Sequence, residues 1–187
     1  LDFDINADDD SVMFSHHTVQ PDAATLYSIY QVWKRAVDEI SDVQGLYPTF
    51  IMNLSPAGAA RVAKTNGIGN VWGLDEQPMI CTALISLLWQ SLMYATGWQF
   101  STGWDLPSDD IRVQTWSRRL VESLHAINRK KGISSEFIYM GDAGEWQDPF
   151  AGFPEANVQR MKAVRTAYDP LRTFSRLNWG GFKLGFD

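Results

Sequence analysis

The first residues in this chain that could move a proton or hold a metal are His16 and His17, adjacent in SVMFSHHTV. Strand alternation would put one ring on each face. No H-x-x-x-H and no cysteine partner accompanies them, so no zinc ligand set is expected. The one cysteine, Cys81, stands in an apolar run and reads as a packed residue rather than half of a disulfide. The Asp8-Asp9-Asp10 run reads as a solvated turn. Gly67, Gly69 and Gly73 in NGIGNVWGLD offer backbone amides of the kind that cradle phosphate. A dinucleotide fingerprint, however, requires a strand before the glycines and a helix after them, and that context is missing. Asn53, Thr82 and Ser86 are polar residues among apolar neighbours. Either the nearby backbone satisfies them or they line a cavity. No G-x-S-x-G nucleophile elbow occurs, and no carboxylate pair stands out from the polar surface.

The elements that would position these groups follow from periodicity. Ser11 to Val19 reads as a strand, and Pro21-Asp22 opens a helix to about Val43, with Leu26, Ile29, Tyr30, Trp33, Val37 and Ile40 as its stripe and Gly45 as its stop. Thr49 to Leu54 reads as a second strand. Ser55-Pro56 looks like a cap and first position of a short helix to about Thr65. Met79 to Trp89 is apolar on both faces, as a central strand would be, with Thr82 and Ser86 on one face. Ser91 to Pro107, rich in aromatics and glycines, reads as a long functional loop, either a substrate lid or an interface. A helix runs from Ser108 to about Lys130 with Trp116, Leu120, Leu124 and Ile127 inward, and Gly132 ends it. Phe137 to Met140 reads as a strand. Pro154 then starts a helix whose stripe is Val158, Met161, Val164 and Tyr168, and Asp169-Pro170 stops it.

The chain has 187 residues, 45% hydrophobic and 20% charged, enough to bury one core as a single domain spanning 1–187. Its net charge of −6 gives no basic footprint for nucleic acid. No apolar stretch approaches the roughly 20 residues of a membrane-spanning helix. The sequence opens Leu1-Asp2-Phe3, without an initiator Met or a signal-like segment, and reads as a piece of something longer. A secretory signal on a missing upstream half would be invisible here, so localisation is left open.

The order of motifs in the last fifty residues carries a resemblance. Tyr139-x-x-x-Ala143, Trp146-Gln147-Asp148-Pro149, Asn157-Val158, Tyr168-Asp169-Pro170, Phe174 and Gly180-Gly181-Phe182-Lys183-Leu184 resemble the C-terminus of fungal FAD-linked oxidoreductases. These belong to the vanillyl-alcohol-oxidase and berberine-bridge-enzyme superfamily. Gly69, Asn70, Gly73 and Leu74 resemble its G-G-N-x-x-G-L segment. The resemblance implies an α+β substrate domain, an antiparallel sheet of four or five strands flanked by three long helices. One sheet face would lie over flavin and substrate while helices cover the other.

The resemblance also implies that FAD is held mainly by an N-terminal flavin-binding half, a separate polypeptide partner for these residues. This chain would then supply the substrate side, with Tyr139 and Gly141 against the cofactor, Asp142 and Tyr139 in catalysis, and Asn53, Thr82 and Ser86 toward a small-molecule substrate. Where relatives read Y-x-N-Y-A, this chain reads Tyr139-Met140-Gly141-Asp142-Ala143, which removes an amide and an aromatic ring. Asp142 is a candidate general base if burial raises its pKa, and otherwise a turn residue. The expected function is oxidation of a secondary-metabolite-like molecule by hydride transfer to FAD. The alternatives are a redox-inactive relative whose pocket steers a cyclisation or rearrangement, and a stand-alone binding domain.

Overall fold

The computed structural model describes residues 11–20, 22–56, 58–67, 69–74, 93–178 and 180–185. Four strands form one antiparallel sheet in the order β2-β3-β1-β4. These are β1 (Ser11–Val19), β2 (Tyr47–Pro56), β3 (Met93–Trp104) and β4 (Ser134–Ser135). The helices are α1 (Ala23–Val37), α2 (Gly58–Thr65), α3 (Asp110–Lys130), α4 (Glu155–Tyr168) and α5 (Thr173–Leu177). The α+β class and antiparallel sheet agree with the sequence reading.

Register decides which side chains meet. Ser15 stands opposite Phe100 and His17 opposite Trp98, while Phe50 and Met52 of β2 face the same two residues from the other side. These residues share the face that α1 and α3 cover. Trp98, Phe100, Thr102 and Trp104 are buried there, with Met13, Ser15, His17 and Val19 from β1. Trp33 of α1 packs on Phe50 and Phe100, with ring centroids 5.5 and 6.2 Å away. From α3, Val113, Trp116, Ser117, Leu120, Val121, Leu124 and Asn128 point inward at helical spacing. The Trp116 Nε1–H donates to the Ala36 carbonyl at 2.9 Å and ties the two helices together. Asp110, the first residue of α3, accepts from Ser11 Oγ at 2.9 Å and from Trp104 Nε1 at 2.8 Å, which pins the helix start to both central strands.

The structure corrects several local expectations. The stretch read as a lid or interface loop is mostly β3, the strand between β1 and β2. Its Trp98, Phe100, Thr102 and Trp104 alternate with Gln99, Ser101 and Gly103, so the period of two was present behind the glycines. The long first helix is α1 followed by a 3-10 turn, Asp38–Ile40; Asp22 caps α1 by accepting from the Thr25 amide at 2.5 Å. Ser55 and Pro56 do not open a helix. They extend β2 opposite Ala95 and Met93, and α2 begins at Gly58. In α3, Asn128 is buried and Ile127 is exposed, because the inward row runs 117, 121, 124, 128. Phe137 to Met140 is not a strand: the ladder on that edge of β1 ends at Ser135, and Met140–Asp142 is a 3-10 turn. The proposed Met79–Trp89 strand, with Cys81, Thr82 and Ser86, and the Asp8–Asp10 run lie outside the described residues.

Candidate functional site at the sheet corner

The second sheet face is covered in part, since His16, Thr18 and Gln99 on it are buried. By alternation it carries Val12, Phe14, His16 and Thr18 of β1, Gln99 and Ser101 of β3, and Tyr47, Thr49 and Ile51 of β2. Thr49, Ile51 and Ser101 are half-buried and Tyr47 is exposed. The face is thus a mixed floor of hydroxyls and apolar groups. The segment from Glu136 to Phe153 closes one corner of it.

A side-chain amide explains why that segment is not a strand. The Gln147 Nε2–H donates to the His16 carbonyl at 2.7 Å, and Gln147 Oε1 accepts from the His16 amide at 2.9 Å and from the Gly144 amide at 3.0 Å. One glutamine therefore takes both backbone groups that a continuing strand would have paired with. The Tyr139 amide turns instead to the His16 ring, donating to Nδ1 at 3.2 Å. His16 must then carry its proton on Nε2. Burial keeps this ring neutral and lowers its pKa from 6.5 to about 4. Gly144 sits where a Cβ would fall 2.9 Å from the Phe14 carbonyl, so only glycine lets the loop rest on β1.

The clasp aims Tyr139 and the turn after it. Tyr139 is partly exposed, with its ring laid over Gly141: a Cβ added there would meet Tyr139 Cε1 at 2.8 Å. A side chain at position 141 would therefore meet this tyrosine ring. Trp72 meets Tyr139 edge-on at 6.0 Å and lies 5.8 Å from Phe137, giving a partly exposed aromatic wall. Asp142 is half-buried in the turn, its amide bonded to the Tyr139 carbonyl at 3.1 Å. Tyr139, Gly141 and Asp142 are thus brought together. Asn53 stands apart from them, opposite Gly97 in the β2–β3 register, and its side chain falls outside the described set. Sequence reasoning missed Gln147, His16 and Trp72 as parts of this corner. Only the W-Q-D-P motif marked Gln147, and nothing in the sequence joined it to His16.

His17 points to the opposite face and stacks on His125 of α3, centroids 3.7 Å apart and planes 9° from parallel. Burial first, then the neighbouring His125, His16 and Arg129, lowers its pKa to about 3. Burial also lowers that of His125, against an upward pull from Glu136. Two neutral stacked imidazoles inside a helix–sheet core form a packing element.

The glycine loop offers no phosphate cradle. It follows the C-terminal end of α2, the negative end of the helix dipole, where an anion is disfavoured. Asn70 fills its interior, its Nδ2–H donating to the Leu74 carbonyl at 2.6 Å and its Oδ1 accepting from the Leu74 amide at 3.1 Å. What the loop does is hold α4. Asn157 Nδ2 donates to the carbonyls of Asn70 and Val71, both at 2.8 Å, and Gly73, at φ +66°, leaves room for the Pro154 ring. The two motif pieces that carry the resemblance, some ninety residues apart in the chain, meet here. The described residues fit the ring side of a flavin site, an aromatic wall beside a polar floor, and not the side that binds its phosphates.

The chain is 34% identical over 118 residues to the FAD-dependent monooxygenase FUP4 of Fusarium proliferatum, a match covering 62% of this chain and 20% of that protein. It is 27% identical over 179 residues to the FAD-dependent monooxygenase tpcD of Cochliobolus heterostrophus, 91% of this chain and 31% of that one. The cofactor of both relatives is FAD, the one implied by the C-terminal motifs. The bifunctional solanapyrone synthase of Alternaria solani is 27% identical over 84 residues, 45% of this chain and 16% of that protein. No family model matches the chain and no solved structure is similar to it. The chain is similar to fungal FAD-dependent monooxygenases and spans about a sixth to a third of the length of these relatives.

Proposed function

We propose that this chain is the substrate side of an FAD-dependent oxidoreductase of the vanillyl-alcohol-oxidase and berberine-bridge-enzyme type. It acts on a small organic molecule of fungal secondary metabolism. The observation that carries the reading is the partly open sheet face that ends at the Tyr139 corner. In this reading FAD, held mainly by a separate N-terminal flavin-binding polypeptide, supplies the electron acceptor for hydride removal. Thr49 and Ser101 offer hydrogen bonds to the substrate from the floor, and Asn53, Thr82 and Ser86 are further candidates for the same role. Tyr139, backed by Trp72 and resting on Gly141, provides the aromatic wall and excludes water. In this reading Asp142 takes the proton of a substrate hydroxyl as its carbon gives up hydride.

The test is anaerobic addition of substrate to the natural assembly containing this chain, reading the flavin's visible absorbance. Bleaching is expected, slowed by about 100-fold or more in Asp142→Asn if the carboxylate is the base. An assembly without flavin would refute the reading. A second reading, a pocket that steers a cyclisation or rearrangement without net oxidation, is favoured by the synthase among the relatives and by the altered Gly141-Asp142 pair. Product isomeric with substrate, formed with the flavin still oxidised, would select it.

A further inference from the structure

We propose that His16 is the positioning residue of the Tyr139 corner, and that protonation of its ring releases the turn carrying Tyr139, Gly141 and Asp142. What the corner does rests on the oxidoreductase reading above; how it is held does not.

The turn hangs between two fixed points. Ile138 before it is buried, and Gly144 after it is packed on the Phe14 carbonyl. Between them the chain faces outward, with Tyr139 44% and Met140 38% exposed. The bond from the Asp142 amide to the Tyr139 carbonyl closes the turn on itself. The Tyr139 amide ties it to the sheet by donating to His16 Nδ1. Gln147 also fastens the loop to His16, but through the backbone amide and carbonyl, which do not titrate. The ring nitrogen is the part of this clasp that acid can remove. A protonated imidazole carries N–H on both nitrogens, so Nδ1 would turn a donor toward the Tyr139 donor.

The described groups around the ring leave that change uncompensated. Gln99 of β3 stands opposite His16 in the register and Gln147 covers its backbone; both are neutral. His17 lies on the other face of β1, stacked on His125 of α3, and Arg129 adds only a like charge. Of the loop's carboxylates, Glu136 is held by Arg129, Glu145 and Asp148 are exposed, and Asp142 leaves with the turn. Burial holds the ring's pKa at about 4 while the turn is latched, and water reaching the ring returns it toward 6.5. Protons therefore favour the released form, and its fraction grows as pH falls from 6.5 towards 4. A ring that regains its ordinary pKa raises that fraction about 30-fold between pH 7.5 and 5. Release also takes Tyr139 away from Trp72 and dismantles the aromatic wall.

Hydrogen exchange of the natural assembly at pH 7.5 and 5, corrected for the intrinsic rate at each pH, tests this. Exchange at residues 139–142 should rise about 30-fold, while the β2–β3 ladder stays protected. His16→Asn places an acceptor oxygen near the position of Nδ1 and cannot titrate, so it should keep the turn protected at both pH values. His16→Leu offers no acceptor and should release the turn even at pH 7.5. Were His16 only a packing residue, leucine would protect the turn better than asparagine, and that order would overturn the proposal. So would a parent turn equally protected at both pH values, or a pH dependence that persists in His16→Asn. Should His16→Leu fail to assemble, the asparagine variant decides alone. Flavin absorbance of the same samples separates the two claims. A turn that opens with acid in an assembly lacking flavin refutes the oxidoreductase reading and keeps the latch. A flavin that bleaches with substrate while the turn stays shut at pH 5 does the opposite.

Discussion

The two ends of this molecule are built from similar side chains and use them in opposite ways. In the sheet half, Trp98, Phe100, Ile29, Val113 and Val121 are fully enclosed, and even a histidine pair is packed away from water. In the C-terminal arm, Met161, Val164, Tyr168, Phe174 and Leu177 stand on regular helices with nothing buried, and specific hydrogen bonds hold them. Burial of apolar area makes the first half a stable unit. The arm leaves its apolar surface exposed. The lesson is that an amphipathic stripe reports that a face wants cover, not which molecule supplies it.

Core truncation should separate the halves most sharply. Phe100→Ala is expected to cost about 4 kcal/mol through lost burial and a cavity, read as a lowered urea midpoint. A comparable drop for Phe174→Ala would show that the arm has a buried state not seen here.

Acidification should strike the sheet half next. Unfolded histidines take up protons below about pH 6.5, whereas folded His16 and His17 resist to about 4 and 3, so protons favour the unfolded chain. Stability should therefore fall as pH drops from 6.5 towards 4, by about 2 kcal/mol for each histidine at pH 5. Denaturation at pH 7.5 and 5 checks this, and His16→Asn should remove about half of the slope.

The clasp comes third. Gln147→Leu leaves the His16 amide and carbonyl and the Gly144 amide without their partner, and should cost about 3 kcal/mol. Hydrogen exchange at His16, Tyr139 and Gly144 should rise together, while amides of α4 stay unchanged. Uniform exchange across the chain would mean that Gln147 supports the whole fold and not this corner.

A smaller effect is expected where the arm meets the loop. Asn157→Ala removes two hydrogen bonds at a partly exposed site and should cost about 1 kcal/mol. Its signature is faster proteolysis within residues 154–168 with an unchanged core midpoint. The smallest effect belongs to Phe174→Asp with Leu177→Asp, whose midpoint in the isolated chain should stay within about 0.5 kcal/mol of the parent.

Much of this was legible in the sequence. The first strand was read at Ser11 to Val19, α3 and α4 were placed to within a few residues, and the Asp169-Pro170 stop stands. Each rests on local rules of alternation, capping and proline geometry. The motif order also pointed to FAD, the cofactor of the relatives. Three features resisted. β3 was hidden because glycines and hydroxyls broke its apolar pattern, and its partners lie 37 to 56 and 77 to 93 residues away. Phe137 to Met140 has strand composition, yet a side chain from residue 147 had taken the edge it needed. The α4 stripe was read correctly as apolar but not as uncovered.

The division has one physical cause. Sequence by itself determined what depends on near neighbours: helix starts and stops, strand periodicity, net charge, and the small set of motifs behind the resemblance. Tertiary structure alone decided what depends on pairing across long separations, since hydrogen-bond partners at β1 and the neighbours of an apolar stripe are chosen by packing. It brought Gln147 to His16, Trp72 to Tyr139 and Asn157 to the glycine loop, and it left the arm facing outward.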